Sequence, residues 1–418
     1  MRNLRHVLAA VILLSSATAA LAQKSPATHW RQHLGPQRNG ISPAKGLLNV
    51  WPAGGPKVVW RKRGGIGMSA CAIDGKFLVT LVQDARTQYA LALNAATGKQ
   101  LWKQPVAAAY RNGQGDGPRG TPTISNGNVY VFTGQGILAK LDQKTGKVKW
   151  RDNVMQRVQA RLADYGMACS PLVHEGNVVV IPGGQQAAVI AYNEKTGAVR
   201  WKAGDDKAGY SSPTLLKVGG KLQIVAFLGG SAIGIAPKAG TVLWQYPYIT
   251  EFNCNTATAI GIGGDVFLSS GENHGSVRLS LTPKGKQFSP KVVWESQGGG
   301  SVLRSEWQTP ILLGGYLYGL DNVGSAGPVT HLTCVNAKTG DREWRKTRFG
   351  KSNLIAADGK LFITNRAGEL VVVRANPKAF EEIGRIKVLN STRQAPSLAG
   401  GLLYMRDNRE IVCIDVRK

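Results

Sequence analysis

Glu272 and His274 stand two residues apart in the glycine-bounded stretch GENHG, Gly271 to Gly275. A carboxylate beside an imidazole can move a proton or hold a metal ion. Asp321, at the head of DNVGSAGP, adds oxygens of the kind Ca²⁺ takes, but without the spacing of an EF-hand loop. A second group is defined by position: Arg119, Tyr210, Asn253, Glu306, Trp307 and Arg393 each stand a few residues ahead of a short apolar run. Guanidinium groups pair with carboxylates, and Tyr or Trp rings stack on planar molecules. Converging on one opening, they could hold an anionic ring-shaped ligand or a glycan. A water-filled channel with a satisfied polar rim would use the same residues. The chain has no Ser-His-Asp order, phosphate-binding glycine loop or HExxH, so no catalytic residue and no metal site is assigned.

A repeated unit must position these side chains. A small polar residue, often followed by Pro, opens an apolar run in GTPTI, CSPLV, SSPTL, QTPIL and QAPSL. A tight glycine turn follows, as in SNGN, HEGN and ADGK, then a second apolar run such as VYVFT, VVVIP or LFITN. A polar loop leads to a third run. The unit closes on a Thr-Gly turn and a short segment ending in Trp, as in LNAATGKQLW, LDQKTGKVKW and YNEKTGAVRW. Four short strands separated by turns read as an antiparallel sheet. The unit recurs eight times, which predicts an all-β, eight-bladed β-propeller of four-stranded blades.

The eighth unit stops at CIDVRK, Cys413 to Lys418, without a fourth strand. KVVWRK, Lys57 to Lys62, is a fourth strand without the other three, so the N-terminal strand is expected to complete the last blade beside residues 410–415. Trp60, Trp102, Trp150, Trp201, Trp244, Trp294 and Trp344 fill one slot seven times and read as structural wedges between blades; blade seven carries EIGRI, Glu382 to Ile386, instead. Strand direction alternates, so the short Asp-Gly and Thr-Gly turns share one face. The longer second-to-third loops and the blade-to-blade crossings share the other, and any site belongs there. The longest crossing, MQRVQARLADYG from Met155 to Gly166, is read as a short helix, with Arg157 and Arg161 as a basic pair.

The Ala/Asp/Asn-x-x-Thr-Gly-x-x-x-Trp phrase resembles the tryptophan-docking motif of propellers related to the pyrroloquinoline-quinone (PQQ) dehydrogenases. WRQHLGPQRNGIS, Trp30 to Ser42, is similar to exported bacterial proteins described as PQQ-binding-like β-propeller repeat proteins. The resemblance implies one of two branches. One is the quinoprotein alcohol dehydrogenases, periplasmic enzymes with PQQ and Ca²⁺; the other is non-catalytic relatives such as the propeller lipoprotein of the outer-membrane barrel-assembly machine. The adjacent-Cys disulfide typical of many quinoprotein alcohol dehydrogenases is absent here. The expectation is therefore an envelope binding or scaffold propeller, with a PQQ-dependent alcohol or sugar dehydrogenase as the alternative, and with no cofactor assigned.

Arg2 and Arg5, the apolar run Val7 to Leu14 and the Ala20-Leu21-Ala22 site read as a signal peptide cut after Ala22. Residues 1–22 are then the leader, 23–56 an N-terminal segment and 57–418 the propeller. No later apolar stretch is long enough to span a bilayer. The product is expected to be periplasmic or secreted, and a monomer. Five Cys without a CxxC read as buried thiols, with a single disulfide as the alternative. A formal charge of +27 favours anionic polymers and envelope proteins as partners, without a module for specific nucleic-acid binding.

Overall fold

The computed structural model describes residues 29–324 and 329–418, so the expected leader lies outside the described residues. Eight antiparallel sheets form the eight blades. Blade one runs through Ala72–Asp74, Phe77–Gln83, Thr87–Asn94 and Gln100–Ala108. Second and third strands are apolar on both faces because each blade is covered by a neighbour on either side; Asn128–Phe132 and Val189–Ile190 are buried throughout. Fourth strands are the outer edges, and Val148–Asn153 alternates between half-buried and exposed residues.

The last blade consists of Ser397–Ala399, Leu402–Arg406 and Glu410–Asp415, completed by Val58–Arg63. Trp60 stands opposite Cys413 and Arg63 opposite Glu410, so the ring closes as the repeat count requires. Without this strand the last blade would present an open edge.

The Trp wedges have a polar as well as an apolar task. Six indoles donate their N–H to a carbonyl in the third-to-fourth turn of the next blade: Trp60 to Ala95, Trp102 to Gln143, Trp150 to Glu194, Trp201 to Pro237, Trp294 to Ala337 and Trp344 to Asn376, at 2.8–3.2 Å. The turn glycine explains the Thr-Gly spacing. Gly98 has φ 70°, and a Cβ there would meet the Trp60 ring at 2.7 Å. Only glycine satisfies both demands.

Two slots depart from the rule. Blade five has a long outer hairpin, Gly275–Lys284 with Gln287–Gln297, whose turn at Gly285 lies far out. Trp244 instead donates to Gln223 Oε1 of its own blade at 2.8 Å. In blade seven Gly384 stands opposite Val372, the register at which Trp344 stands opposite Cys334 in blade six. A Cβ on Gly384 would meet the Trp51 ring at 2.7 Å. EIGRI therefore does not replace the indole: it leaves a hole that Trp51 of the N-terminal segment fills.

That segment does more than lead into the first blade. His29 and Trp30 pair with Asp74 and Ile73 on the channel-side edge of blade one. The Arg31 carbonyl accepts from Ile124 N–H of blade two at 2.7 Å. His33 Nε2 lies 3.3 Å from Thr258 Oγ1 of blade five, and Gly40 abuts Ile311 of blade six. Buried Arg38 donates to the Ser170 and Pro171 carbonyls of blade three at 2.9 and 3.0 Å. Ser42 N–H and the Gly40 carbonyl bond Ala356 of blade seven, and Ser42 Oγ bonds the Leu398 carbonyl of blade eight. Residues 29–48 thus form a plug across the channel at the short-turn face.

The small polar residue before the inner strand is also explained. Thr121 Oγ1 accepts from Ala70 N–H, Ser170 Oγ from Thr121 N–H and Ser212 Oγ from Ser170 N–H; Thr309 Oγ1 does the same for Thr258 N–H. These hydroxyls stitch one blade to the next around the axis, where backbone donors would otherwise be buried without partners.

Candidate functional site: the channel mouth

The crossings bring the predicted residues to the unplugged end of the channel. They arrive there in different states.

Arg119 is a brace. Its Nε donates to the Tyr165 carbonyl and Nη2 to the Gly115 carbonyl, both at 2.7 Å, and Nη1 also bonds the Gly117 carbonyl. Its guanidinium lies 4.7 Å from the Tyr110 ring centre. Burial, the largest influence, lowers its pKa. This guanidinium holds two neighbouring crossings together and has little left for a ligand.

Tyr210 stacks on Tyr165 with centroids 5.5 Å apart, and its hydroxyl accepts from Tyr165 N–H at 3.2 Å. Burial raises its phenol pKa. Asn253 follows Phe252 in a single 3₁₀ turn, Glu251–Asn253, with φ 60° at Phe252 and 53° at Asn253. Two successive left-handed residues without glycine are unusual.

Trp307 is ringed by cations. Lys351 Nζ lies 4.5 Å from its ring centre, Arg393 Cζ 5.0 Å and Arg366 Cζ 5.9 Å. Arg393 also donates to the Gln114 carbonyl at 2.5 Å; burial and then Arg366 lower its pKa. Glu306, 8% exposed, holds Lys351 through Oε1 at 2.6 Å. Its Oε2 is buried without a hydrogen-bond partner, and burial raises its pKa. Electrostatic attraction to the aromatic face and to Glu306 offsets the crowding of like charges.

The other loop candidates divide. Glu272 lies at the mouth, where its charge acts on Glu306, Tyr165 and Cys254. His274 turns to Tyr248, ring centres 4.2 Å apart, and burial lowers its pKa. The geometry therefore does not assemble GENHG into an acid–base pair. Asp321 is not a loop residue: it lies in the second strand Tyr316–Val323, fully buried. Arg304 Nε meets Asp321 Oδ1 at 2.7 Å, Arg304 Nη2 meets Oδ2 at 3.0 Å and Arg342 approaches at 3.4 Å. A carboxylate this engaged is a structural ion pair, because removing either partner would strand a buried charge. The 155–166 crossing has one helical turn, Val154–Val158, capped by Asn153, and Arg157 pairs with Asp152 instead of forming an open patch with Arg161.

Lys351, Arg366 and Cys254 were missed. Lys351 precedes Ser352 and Arg366 follows Asn365, and a lone Lys or Arg in a loop carries no signal that it will meet Trp307 from another blade. All five Cys are free thiols, four of them buried. Half-buried Cys254 is the exception, and burial followed by Glu272, Glu306, Asp164 and Glu251 pushes its thiol up to about 12.

A quinone held with Ca²⁺ needs several free oxygen donors beside a planar slot. Among the described residues no three His, Cys, Asp or Glu side chains come together in a metal-binding group. Glu306 is engaged by Lys351, and Trp307 is covered by cations. The side chains present do not fit that pair.

A family model described as outer membrane protein assembly factor BamB matches residues 16–162 and 86–346. The chain belongs to that family. It is 25% identical over 264 residues to the outer membrane protein assembly factor BamB of Burkholderia pseudomallei, covering 62% of each protein. It is 32% identical over 144 residues to the quinoprotein ethanol dehydrogenase of Pseudomonas aeruginosa; the match covers 30% of this chain and spans 22% of that enzyme. Among solved structures, the quinohemoprotein alcohol dehydrogenase from Comamonas testosteroni superposes with a TM-score of 0.66 at 14% identity, covering 95% of this chain and 82% of that one. At that identity the likeness is one of fold. Both the BamB relatives and the quinoprotein dehydrogenases therefore share this PQQ-type propeller, and no helix among the described residues is long and apolar enough to cross a membrane.

Proposed function

We propose that this protein is an exported, non-catalytic β-propeller of the cell envelope, working as a monomer that binds or scaffolds other envelope components through its mouth face. Residues 1–22 serve as its cleaved leader. A small ligand, where one binds, sits against Trp307 and Arg393, and the basic surface attracts anionic polymers non-specifically. The observation that carries this reading is the condition of the mouth. Its buried acid is ion-paired through one oxygen, Arg119 is consumed by carbonyls, and Asp321 is locked in a sheet. A dehydrogenase needs a base free to take a proton from its substrate.

Titration of the purified mature protein with PQQ and Ca²⁺, read by absorbance and calorimetry, tests the reading. The expected outcome is no saturable uptake and no alcohol-dependent dye reduction. Stoichiometric uptake with dye reduction by an alcohol or sugar would establish the periplasmic PQQ-dehydrogenase alternative.

A further inference from the structure

The plug carries a charge that the fold does not balance. Arg38 is 3% exposed and held at φ 53°, a backbone region that residues other than glycine seldom enter. Its Nη1 donates to Gln32 Oε1 at 3.2 Å and to the Pro171 carbonyl, its Nη2 donates to the Ser170 carbonyl, and its Nε has no acceptor. All three acceptors are neutral. No carboxylate of a described residue pairs with Arg38, and residues 1–28 and 325–328 contain no Asp or Glu. The ionisable neighbours supply no negative charge either. Burial pushes the Cys169 thiol up to about 12, and burial followed by Arg38 lowers His33 to about 3, so both stay neutral. A buried guanidinium is ordinarily met by an acid, because desolvating it alone is costly.

Beside Arg38 the plug leaves a gap. Among the described residues no hydrogen bond joins residues 29–48 to blade four, although the plug bonds blades three and five on either side. A cavity of about 450 Å³ lies there, a size that suits a small molecule. Arg38 and Gln32 line it from the plug. Its wall is otherwise apolar: Val173 of blade three, Leu215 and Leu216 of blade four, Ile260 of blade five and Leu312 of blade six. All but Ile260 are only half-buried. A desolvated cation without an acid, beside an apolar wall that the fold leaves half covered, describes a ligand with one negative charge and an apolar body.

We propose that this cavity binds a small monoanionic amphiphile, a carboxylate with an aliphatic tail, whose head balances Arg38 and whose tail covers the leucines between the plug and blade four. A guanidinium pairs well with the two oxygens of a carboxylate. A neutral alcohol would leave Arg38 unbalanced, a short polar anion would leave the wall in water, and an ammonium head would be repelled. The bound molecule touches both the plug and blade four, so it tightens the plug and adds to the closure of the ring. The site lies at the opposite end of the channel from the mouth and does not depend on how the mouth is read.

Calorimetry with the full mature chain tests this, with sodium decanoate as the probe against decanol, acetate and decylammonium. Saturable uptake of one equivalent of decanoate is expected, with each of the other three weaker by about tenfold or more. R38Q should erase the preference for decanoate over decanol. L216Q should weaken decanoate about tenfold, with circular dichroism melting confirming its fold. Amide hydrogen exchange across residues 29–48 should slow with decanoate and not with acetate. No saturable uptake, decanol binding as well as decanoate, many equivalents taken up by the cationic surface, or an unchanged preference in a folded R38Q variant overturns the proposal. Should R38Q fail to fold, the decanoate–decanol comparison on the parent and the L216Q variant decide it, and normal decanoate binding by L216Q overturns it.

Discussion

The two ends of the channel are built from the same repeat and put to different use. At the short-turn end residues 29–48 lie across the axis, exchanging backbone hydrogen bonds with blades two, seven and eight and burying Trp30, Arg38 and Leu47. Arg38 spends Nη1 and Nη2 on the carbonyls of blade three and keeps only its Nε without a hydrogen-bond partner. At the mouth the crossings leave a buried carboxylate oxygen unpartnered, three cations about one indole and two large apolar residues in water. One end is committed to closing the ring, whereas the other holds polar and apolar surface that folding alone does not consume. Stability and the proposed binding at the mouth are thereby separable along the axis, and substitutions can be chosen to move one and not the other.

The largest expected effect comes from removing the sealed end. Deleting residues 23–62 takes away the plug, Trp51 and the outer strand of blade eight at once. The last blade is left with an open edge and the inner strands with unpaired donors. Loss of the cooperative melting transition and of solubility is expected. A truncated chain that melts like the full one would show that neither plug nor strand closes the ring.

Next come the wedges. Trp102→Ala removes a buried indole and strands the Gln143 carbonyl, which should cost about 3–5 kcal/mol. Trp51→Ala should cost less, about 2 kcal/mol, because Trp51 is half-buried and no hydrogen bond of its indole anchors the next blade. Chemical denaturation distinguishes them. A Trp51 variant as stable as the parent would mean the seventh slot needs no indole.

How far the sequence reached follows the same division. The blade count, the closure by Val58–Arg63 and the seven wedges were legible because each repeats, and a repeated Thr-Gly-x-x-x-Trp phrase constrains the turn and the indole together. The eighth indole was not, since Trp51 lies outside the repeat and only Gly384 at the right register betrays it. The plug escaped for a like reason: it has no periodicity, and its hydrogen bonds go to residues hundreds of positions away. At the mouth, position could be read but not condition. Arg119 and Arg393 look alike as rim residues; only packing reveals that one guanidinium serves three carbonyls and the other faces Trp307. Asp321 was misplaced because a polar Asp-Asn pair reads as a loop, and its buried partner Arg304 is 17 residues away.

The Arg contrast can be measured. Arg119→Gln leaves up to three carbonyls without their donor and should cost about 1–3 kcal/mol. Arg393→Gln, whose side chain makes one exposed hydrogen bond, should stay within about 0.5 kcal/mol of the parent. Equal losses in thermal or urea melts would mean that both arginines belong to the scaffold.

The smallest effect is a slope. Burial raises the folded-state pKa of Glu306 above its ordinary value of 4.5, against the opposing pull of Lys351. Between the unfolded and folded values the native state binds more protons than the unfolded chain, so this group's contribution to stability falls as pH rises through that window. Below the unfolded value the contribution is constant; above the folded value the full cost of a desolvated carboxylate is present. Glu306→Gln removes the titration while keeping an acceptor for Lys351. The difference in stability between parent and variant should therefore shift against the parent as pH climbs from about 4.5, measured by urea melts at closely spaced pH. A parent and variant whose stabilities run parallel across that range would show that Glu306 is fully satisfied by Lys351, and the difference between the two ends of the channel would then lie in exposed apolar surface and not in charge.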